Sequence, residues 1–267
     1  MAIAIADINV AETDPNVNLM RRATMGMDLI WMNTQRPHLN DWRVRQAINY
    51  AFDTEAVMNI VFMGAGRINH TPLPHGVFGF AEQPPFTFYP DRARELLQEA
   101  GFYPRGFDLE IWWNVPNAQR REVAEVMQFF LAPLNINVEV IGMEWGDYLQ
   151  RSGDGEHDMM ILGWTATTGD ADDVLYPLFH SDNFGMPGNR GFLYNPELDR
   201  LIETGRTELD ENRRKAIYAE ALALLRHEAP IVMLRTGEAL VAVSPNMRNM
   251  TLSPLLHHNW GTVYFVD

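Results

Sequence analysis

The strongest constraint on the fold is a regular alternation of two hydrophobic patterns between residues 107 and 162. Short apolar runs, typical of buried strands, alternate with longer segments in which apolar residues recur every three or four positions, as in amphipathic helices. The predicted strands are 107–113, 137–143 and 157–162, and the predicted helices are 117–132 and 145–151. Such an alternation predicts an α/β fold with a mainly parallel sheet and flanking helices.

Composition excludes several classes of function. The chain has 267 residues and a formal net charge of −14, which argues against a nucleic-acid or anionic-membrane partner. It contains no cysteine, so disulfides, thiolate metal sites and cysteine nucleophiles are excluded. The adjacent His257 and His258 would point to opposite faces of a strand and make a poor metal site. No metal and no cofactor are therefore expected.

The last of the three predicted strands continues into a turn rich in glycine and threonine, which opens a helix with an acidic first turn. Ligands of α/β sheets bind just outside the carboxyl ends of strands. The candidate ligand-binding residues of this turn are Trp164, Thr165, Thr167, Thr168, Gly169 and Asp170. The pattern alone leaves two interpretations open, a ligand site or a connection whose acidic residues only stabilise the helix dipole.

Several segments of the chain resemble, in the same order, the extracytoplasmic solute-binding proteins of peptide-type ABC transporters. This is family 5, which includes dipeptide-, oligopeptide-, nickel- and glutathione-binding proteins. The segments include Asp41-Trp42-Arg43, Tyr89-Pro90-Asp91, Gly163-Trp164, Gly169-Asp170-x-Asp172, Pro177-Leu178-Phe179, Asn195-Pro196-Glu197 and Glu228-Ala229-Pro230. No single segment is specific, but their number and order indicate this family.

The resemblance implies a fold like that of class II periplasmic binding proteins, in which two lobes close on a solute. Residues 37–236 are expected to form the second lobe, residues 1–36 a remnant of the first lobe, and residues 237–267 strands that return to it. The first seven residues lack the basic residues and the apolar length of a signal peptide. We therefore expect the carboxyl-terminal portion of a longer exported protein, located in the periplasm or tethered outside the membrane by a lipid.

The resemblance also implies roles for particular residues. Peptide-binding members carry an aspartate that pairs with the peptide ammonium at the position of Thr167. Either Asp170 replaces that aspartate here, or the ligand has no amine at this place. An arginine near the start of the helix 117–132 is expected to bind the ligand carboxylate, which makes Arg120 and Arg121 candidates. Asn33, at the end of a predicted strand, completes the predicted site.

The expected function is capture of a small peptide or peptide-like solute and its delivery to the membrane permease of an ABC importer, without catalysis. One alternative is a hydrolase that uses Asp170, Asp172 and Asp173, although general acid–base catalysis needs a second carboxylate across a cleft. A second is a binding protein for nickel or another non-peptide solute. A third is a free-standing interaction domain.

Overall fold

The structure is a computed structural model that describes residues 1–186 and 188–266. Its strands are β1 (Asn18–Met32), β2 (Phe107–Asn114), β3 (Ile136–Met143), β4 (Met159–Ile161), β5 (Trp164–Thr165), β6 (Ile231–Val243), β7 (Met247–Arg248) and β8 (Tyr264–Phe265). Its α-helices are α1 (Ile8–Thr13), α2 (Trp42–Ala51), α3 (Thr54–Ile60), α4 (Pro90–Glu99), α5 (Ala118–Leu131), α6 (Trp145–Gly153), α7 (Asp172–Phe179), α8 (Pro196–Thr207) and α9 (Glu211–Glu228). Short 3₁₀ turns lie at Ile5–Asp7, Ala132–Leu134 and Ser181–Asn183.

Six strands form one mixed sheet, which confirms the α/β class and corrects the expectation of a mainly parallel sheet. Strand β2 pairs in parallel with β3 and with β4, as the alternation of strands and helices predicts. Strand β1 runs antiparallel to β4, β5 and β6. The antiparallel part was missed because β1 and β6 are far apart in sequence, so no local pattern links them.

The β1–β6 ladder extends beyond the rest of the sheet. Its registered pairs run from Trp31 opposite Ile231 to Asn18 opposite Val243. The register is interrupted between Ala23 and Met27, next to the short β5. Strand β1 is thus one long element, and its second half lies in the middle of the main sheet.

Side chains that alternate along β1 build a core on each face of the sheet. Ile30 and Met32 pack with the apolar faces of α2, α4 and α5. Leu29 and Trp31 pack on the opposite side, with α7, α8 and α9. This alternation follows from the two-residue period of a strand, and it produces three layers with the sheet in the middle.

Helix α5 shows how the local sequence places a candidate site residue. The side chain of Asn117 caps the helix by accepting a hydrogen bond from the backbone N–H of Arg120. Val123, Met127 and Leu131, spaced four residues apart, are buried against the sheet. This packing holds the first turn of α5, with Arg120, at the carboxyl end of β2.

Candidate functional site

A depression of about 460 Å³ lies where β5 meets β1 at the edge of the main sheet. Strands β1, β5 and β6 supply most of its lining, and the turn before β5 and the first turns of α5 and α6 supply the rest. The residues with side chains able to recognise a ligand are Thr24, Asp28, Arg120, Trp145, Trp164 and Thr165. The depression therefore brings together three of the predicted residues and three that were not predicted.

Close contact between the turn and β1 shapes the floor of the depression. Gly26 lies opposite Thr165, and Met27 lies opposite Trp164. A side chain at Gly163 would collide with the backbone carbonyl of Met27. Glycine is therefore required at position 163 for the turn to approach β1, which explains the Gly-Trp pair in structural terms.

Two tryptophans provide the aromatic surfaces. The half-buried indole of Trp164 is oriented by a hydrogen bond from its Nε1 to the backbone carbonyl of Asp173, 3.0 Å long. The indole of Trp145 is 47% exposed and stacks on Tyr148 with 6.0 Å between ring centroids. The Tyr148 hydroxyl in turn donates to the carbonyl of Ile161 and accepts from its N–H, which fixes α6 to β4.

Arg120 and Arg121 have different environments. Arg120 lines the depression, and its Nη1 donates to Oδ1 of Asn114. Among the described residues its side chain forms no other hydrogen bond, so the remaining guanidinium N–H groups are available to a ligand. Arg121 is exposed and pairs with Glu125 along α5, 2.7 Å away. The structure therefore places Arg120 in the depression and Arg121 outside its lining, and the predicted role of either arginine in binding a carboxylate stays a prediction.

Asp28 is the carboxylate that faces the depression, and the sequence analysis missed it. Its Oδ2 accepts a hydrogen bond from Nε of the largely buried Arg235, 2.9 Å away. A Cβ atom placed on Gly163 would lie 3.4 Å from Oδ1 of Asp28, so this oxygen of Asp28 faces the turn before β5. The available signal was an acidic residue within the apolar segment Met27–Met32, since a charge in a buried strand needs a partner.

The acidic residues of the turn form hydrogen bonds within the protein that fix the position of the turn. Asp170 accepts two hydrogen bonds from Arg214, at 2.6 and 2.8 Å, and its Oδ1 also accepts from the backbone N–H of Asp172. This bidentate pair ties the turn to α9 and satisfies the carboxylate. Both oxygens of Asp170 are therefore engaged within the protein, and its contact with a ligand amine stays a prediction.

The neighbouring carboxylates are engaged as well. Asp173 accepts from the hydroxyl of Thr167 and from the backbone N–H of Thr168, both at 3.0 Å. Asp172 lies 2.8 Å from Arg206, and partial burial raises its pKa. Because all three carboxylates have internal partners, the hydrolase alternative has no free acid–base pair here. Thr167 and Thr168 are exposed, and their hydroxyls form hydrogen bonds within the turn, to Asp173 and from the backbone N–H of Asp170 respectively.

The two other predicted residues have structural positions. Gly169 has a φ of 72°, and its carbonyl accepts a hydrogen bond from Phe78 N–H, so it shapes the back of the turn. Asn33 is 1% exposed. Its amide donates to the carbonyls of Gly155 and His157 and accepts from Gln35 N–H. Asn33 is therefore buried with backbone partners and lies outside the lining of the depression, and its role in ligand binding stays a prediction.

The described residues contain no group of three or more histidine, aspartate or glutamate side chains arranged to hold a metal ion. Within the same residues, no helix is both long enough and apolar enough to cross a bilayer.

Comparison with known proteins gives one family. A sequence profile of the bacterial extracellular solute-binding proteins, family 5 Middle, matches residues 1–186. Heme-binding protein A of Haemophilus influenzae is 29% identical over 255 residues, covering 94% of this chain and 46% of that protein. The dipeptide-binding protein of Escherichia coli is 30% identical over 267 residues, covering 97% of this chain and 49% of that protein.

Solved structures agree with this result. The dipeptide-binding protein of a Pseudoalteromonas species, crystallised with Met-Leu, superimposes with a TM-score of 0.85 at 30% identity. The match covers 98% of this chain and 52% of that structure. The chain thus spans about half the length of the relatives it matches.

Proposed function

Because this chain belongs to the bacterial extracellular solute-binding proteins of family 5, we propose that it captures a small peptide-like solute in the depression. It delivers this solute to the membrane permease of an ABC importer and catalyses no reaction. Residues 37–236, together with the segment Met27–Met32 of β1, form one of two lobes that close on the solute. The protein works outside the cytoplasmic membrane, in the periplasm or tethered by a lipid.

The observation that carries this proposal is the presence of a guanidinium and a carboxylate in one depression with two indoles. A peptide has an ammonium at one end, a carboxylate at the other and side chains between them. Arg120 binds the carboxylate, Asp28 pairs with the ammonium, and Trp145 and Trp164 contact the side chains. Asp28 thus takes the amine-pairing role for which Asp170 was one of two alternatives.

The names of two relatives support the assignment of Arg120 to a ligand carboxylate. One relative is a heme-binding protein and another is a dipeptide-binding protein. Haem and dipeptides share carboxylate groups and an apolar body, whereas only the dipeptide has an ammonium. The pairing with Asp28 therefore distinguishes a peptide from an amine-free solute at this site.

The test uses three forms of one dipeptide: Met-Leu, its N-acetylated form and its C-terminal amide. Because this lobe supplies half of a closing cleft, we expect millimolar binding to this chain, measured by NMR, and none by calorimetry at micromolar concentrations. The indole N–H signals of Trp145 and Trp164 should shift on titration. Acetylation and amidation should each weaken binding about tenfold, the scale of one charged hydrogen bond.

Three variants assign the two contacts. Asp28→Asn should remove the effect of acetylation, and Arg120→Gln should remove the effect of amidation. Arg121→Gln is the matched control and should keep both effects, because this arginine points away from the depression. Equal binding of the three ligand forms, or shifts confined to signals outside the depression, would refute the proposed site.

A further inference from the structure

A second cavity, of about 420 Å³, lies between α3, α9, strand β6 and the long loop that precedes α4. It shares no lining residue with the depression described above. Its volume falls in the range of small-molecule sites, roughly 300–1,000 Å³. The function proposed above makes no use of this cavity.

Apolar side chains form most of its wall. Ile68 and Phe86 come from the long loop, Leu222 and Leu225 from α9, and Met233 from β6. Leu222 and Leu225 also belong to the core beneath the sheet, so this wall is rigid. Such a wall favours an apolar ligand body of the size of a substituted phenyl ring.

Arg226 fastens part of the loop over the cavity. Its Nε donates to the carbonyl of Pro84 at 2.7 Å, and its guanidinium lies 3.8 Å from the ring centroid of Phe86. Its Nη2 also contacts the carbonyl of Pro85 and the hydroxyl of Tyr50. These bonds use three of the five N–H donors of Arg226, so this residue holds the loop over the cavity and keeps its Nη1 group for another partner.

The remaining polar lining combines groups that can also donate, among them His70, Thr54 and Thr87, with two carboxylates. Asp53 and Glu55 line the cavity, and within the described part of the chain neither forms a salt bridge; Oδ1 of Asp53 caps α3. Asn69 is 2% exposed, and its Nδ2 donates to Leu73 and Thr236. Oδ1 of Asn69 has no hydrogen-bond partner among the described atoms. A buried acceptor without a donor, beside two carboxylates, is suited to a ligand that donates hydrogen bonds and carries positive charge.

We propose that this cavity is a second binding site, for a small organic amine. The apolar body of the amine lies against Leu222, Leu225 and Met233. Its ammonium is placed near Asp53 and Glu55, where two carboxylates offset its charge. The site is independent of solute capture in the depression.

A series with one apolar body and three head groups tests the proposal: 4-phenylbutylamine, 4-phenylbutanol and 4-phenylbutyrate. Each compound is titrated into the chain by NMR at millimolar concentrations. We expect saturable binding of the amine, about tenfold weaker binding of the alcohol and the weakest binding of the acid, since a charged hydrogen bond is lost and then replaced by repulsion. Signals of residues around the cavity should shift, and those of the depression should not.

Single substitutions test whether the three compounds bind in this cavity. Glu55→Gln should reduce the preference for the amine over the alcohol, whereas Glu122→Gln, an exposed glutamate on α5, should leave it unchanged. Ile68→Trp should fill the cavity and weaken all three compounds. Trp164→Ala removes an aromatic surface of the depression and should leave all three affinities unaltered, so that failure of one site is distinguishable from failure of the other. Equal affinity for the three compounds, or no saturable binding, would overturn the proposal.

Discussion

Acidification should destabilise this protein through His157, whose imidazole is fully buried. The ring lies between Trp112 and Phe192, with ring centroids 5.8 and 6.2 Å away. Its Nε2 lies 2.9 Å from the carbonyl of Arg190, so this nitrogen carries the hydrogen. Nδ1 is buried and has no partner among the described atoms, so a proton added there would be an unpaired charge in the core.

The size of the effect follows from the pKa. Burial, with a further contribution from the nearby Arg190, lowers the pKa of His157 from 6.5 to about 4. Between pH 6.5 and pH 4, His157 is therefore protonated in the unfolded chain but neutral in the folded chain. His157 therefore does not lower the stability of the folded state above pH 6.5, and it lowers that stability progressively as the pH falls toward 4. Each pH unit in this interval costs about 1.4 kcal/mol, so the free energy of unfolding should fall by about 2 kcal/mol between pH 7 and pH 4.5 from this group alone.

Urea unfolding at pH 7 and pH 4.5, followed by far-UV circular dichroism, measures this loss. The variant His157→Gln retains a donor for the Arg190 carbonyl but cannot titrate. It should be less stable than the parent at pH 7, yet its stability should fall about 2 kcal/mol less on acidification. The control His257→Gln removes an exposed histidine and should follow the parent. Equal pH dependence of His157→Gln and the parent would refute the reasoning.

Two further predictions concern ion pairs, each measured by urea unfolding at pH 7. Asp170→Ala removes the bidentate bond with Arg214 and should lower the free energy of unfolding by about 1 kcal/mol, because both side chains are partly exposed; an unchanged unfolding midpoint would contradict its anchoring role. Glu228→Ala leaves the guanidinium of Arg45, which is 2% exposed, without its carboxylate and should cost about 3 kcal/mol. Glu228→Gln retains an acceptor and should cost less, and an equal loss in the two variants would contradict the electrostatic explanation.

Helix and strand content was predictable where one face of an element is buried by its neighbours. The helix predicted at 117–132 is Ala118–Leu131 in the structure, with the expected face against the sheet. The parallel pairs of β2 with β3 and β4 follow from the alternation of strands and helices. The direction of β1 was not predictable, because its longest ladder is with β6, about two hundred residues later in the chain.

The site was predictable only in part, for the same reason. Trp164 and Arg120, which line the depression, could be proposed from sequence because each lies at the end of a strand or the start of a helix, where local pattern is informative. The bond between Asp170 and Arg214 was not predictable, because the two residues are 44 positions apart on different elements. The burial of Asn33 was not predictable, because the partners of its amide N–H groups are backbone carbonyls, which no residue type reveals.

The pairing of the turn's aspartates within the protein affects which substitutions we expect to change ligand specificity. Asp170, Asp172 and Asp173 all have partners within the protein, so replacing one of them alters the shape of the turn before it alters the ligand contacts. Asp28 lies on the central strand of the sheet and Arg120 in the first turn of a packed helix, and both present polar atoms to the depression. In the proposed site, these two elements hold both charges in place, so we expect ligands to be selected by the separation of their own charges. We therefore expect the spacing between ammonium and carboxylate to affect binding more than the identity of the peptide side chain does.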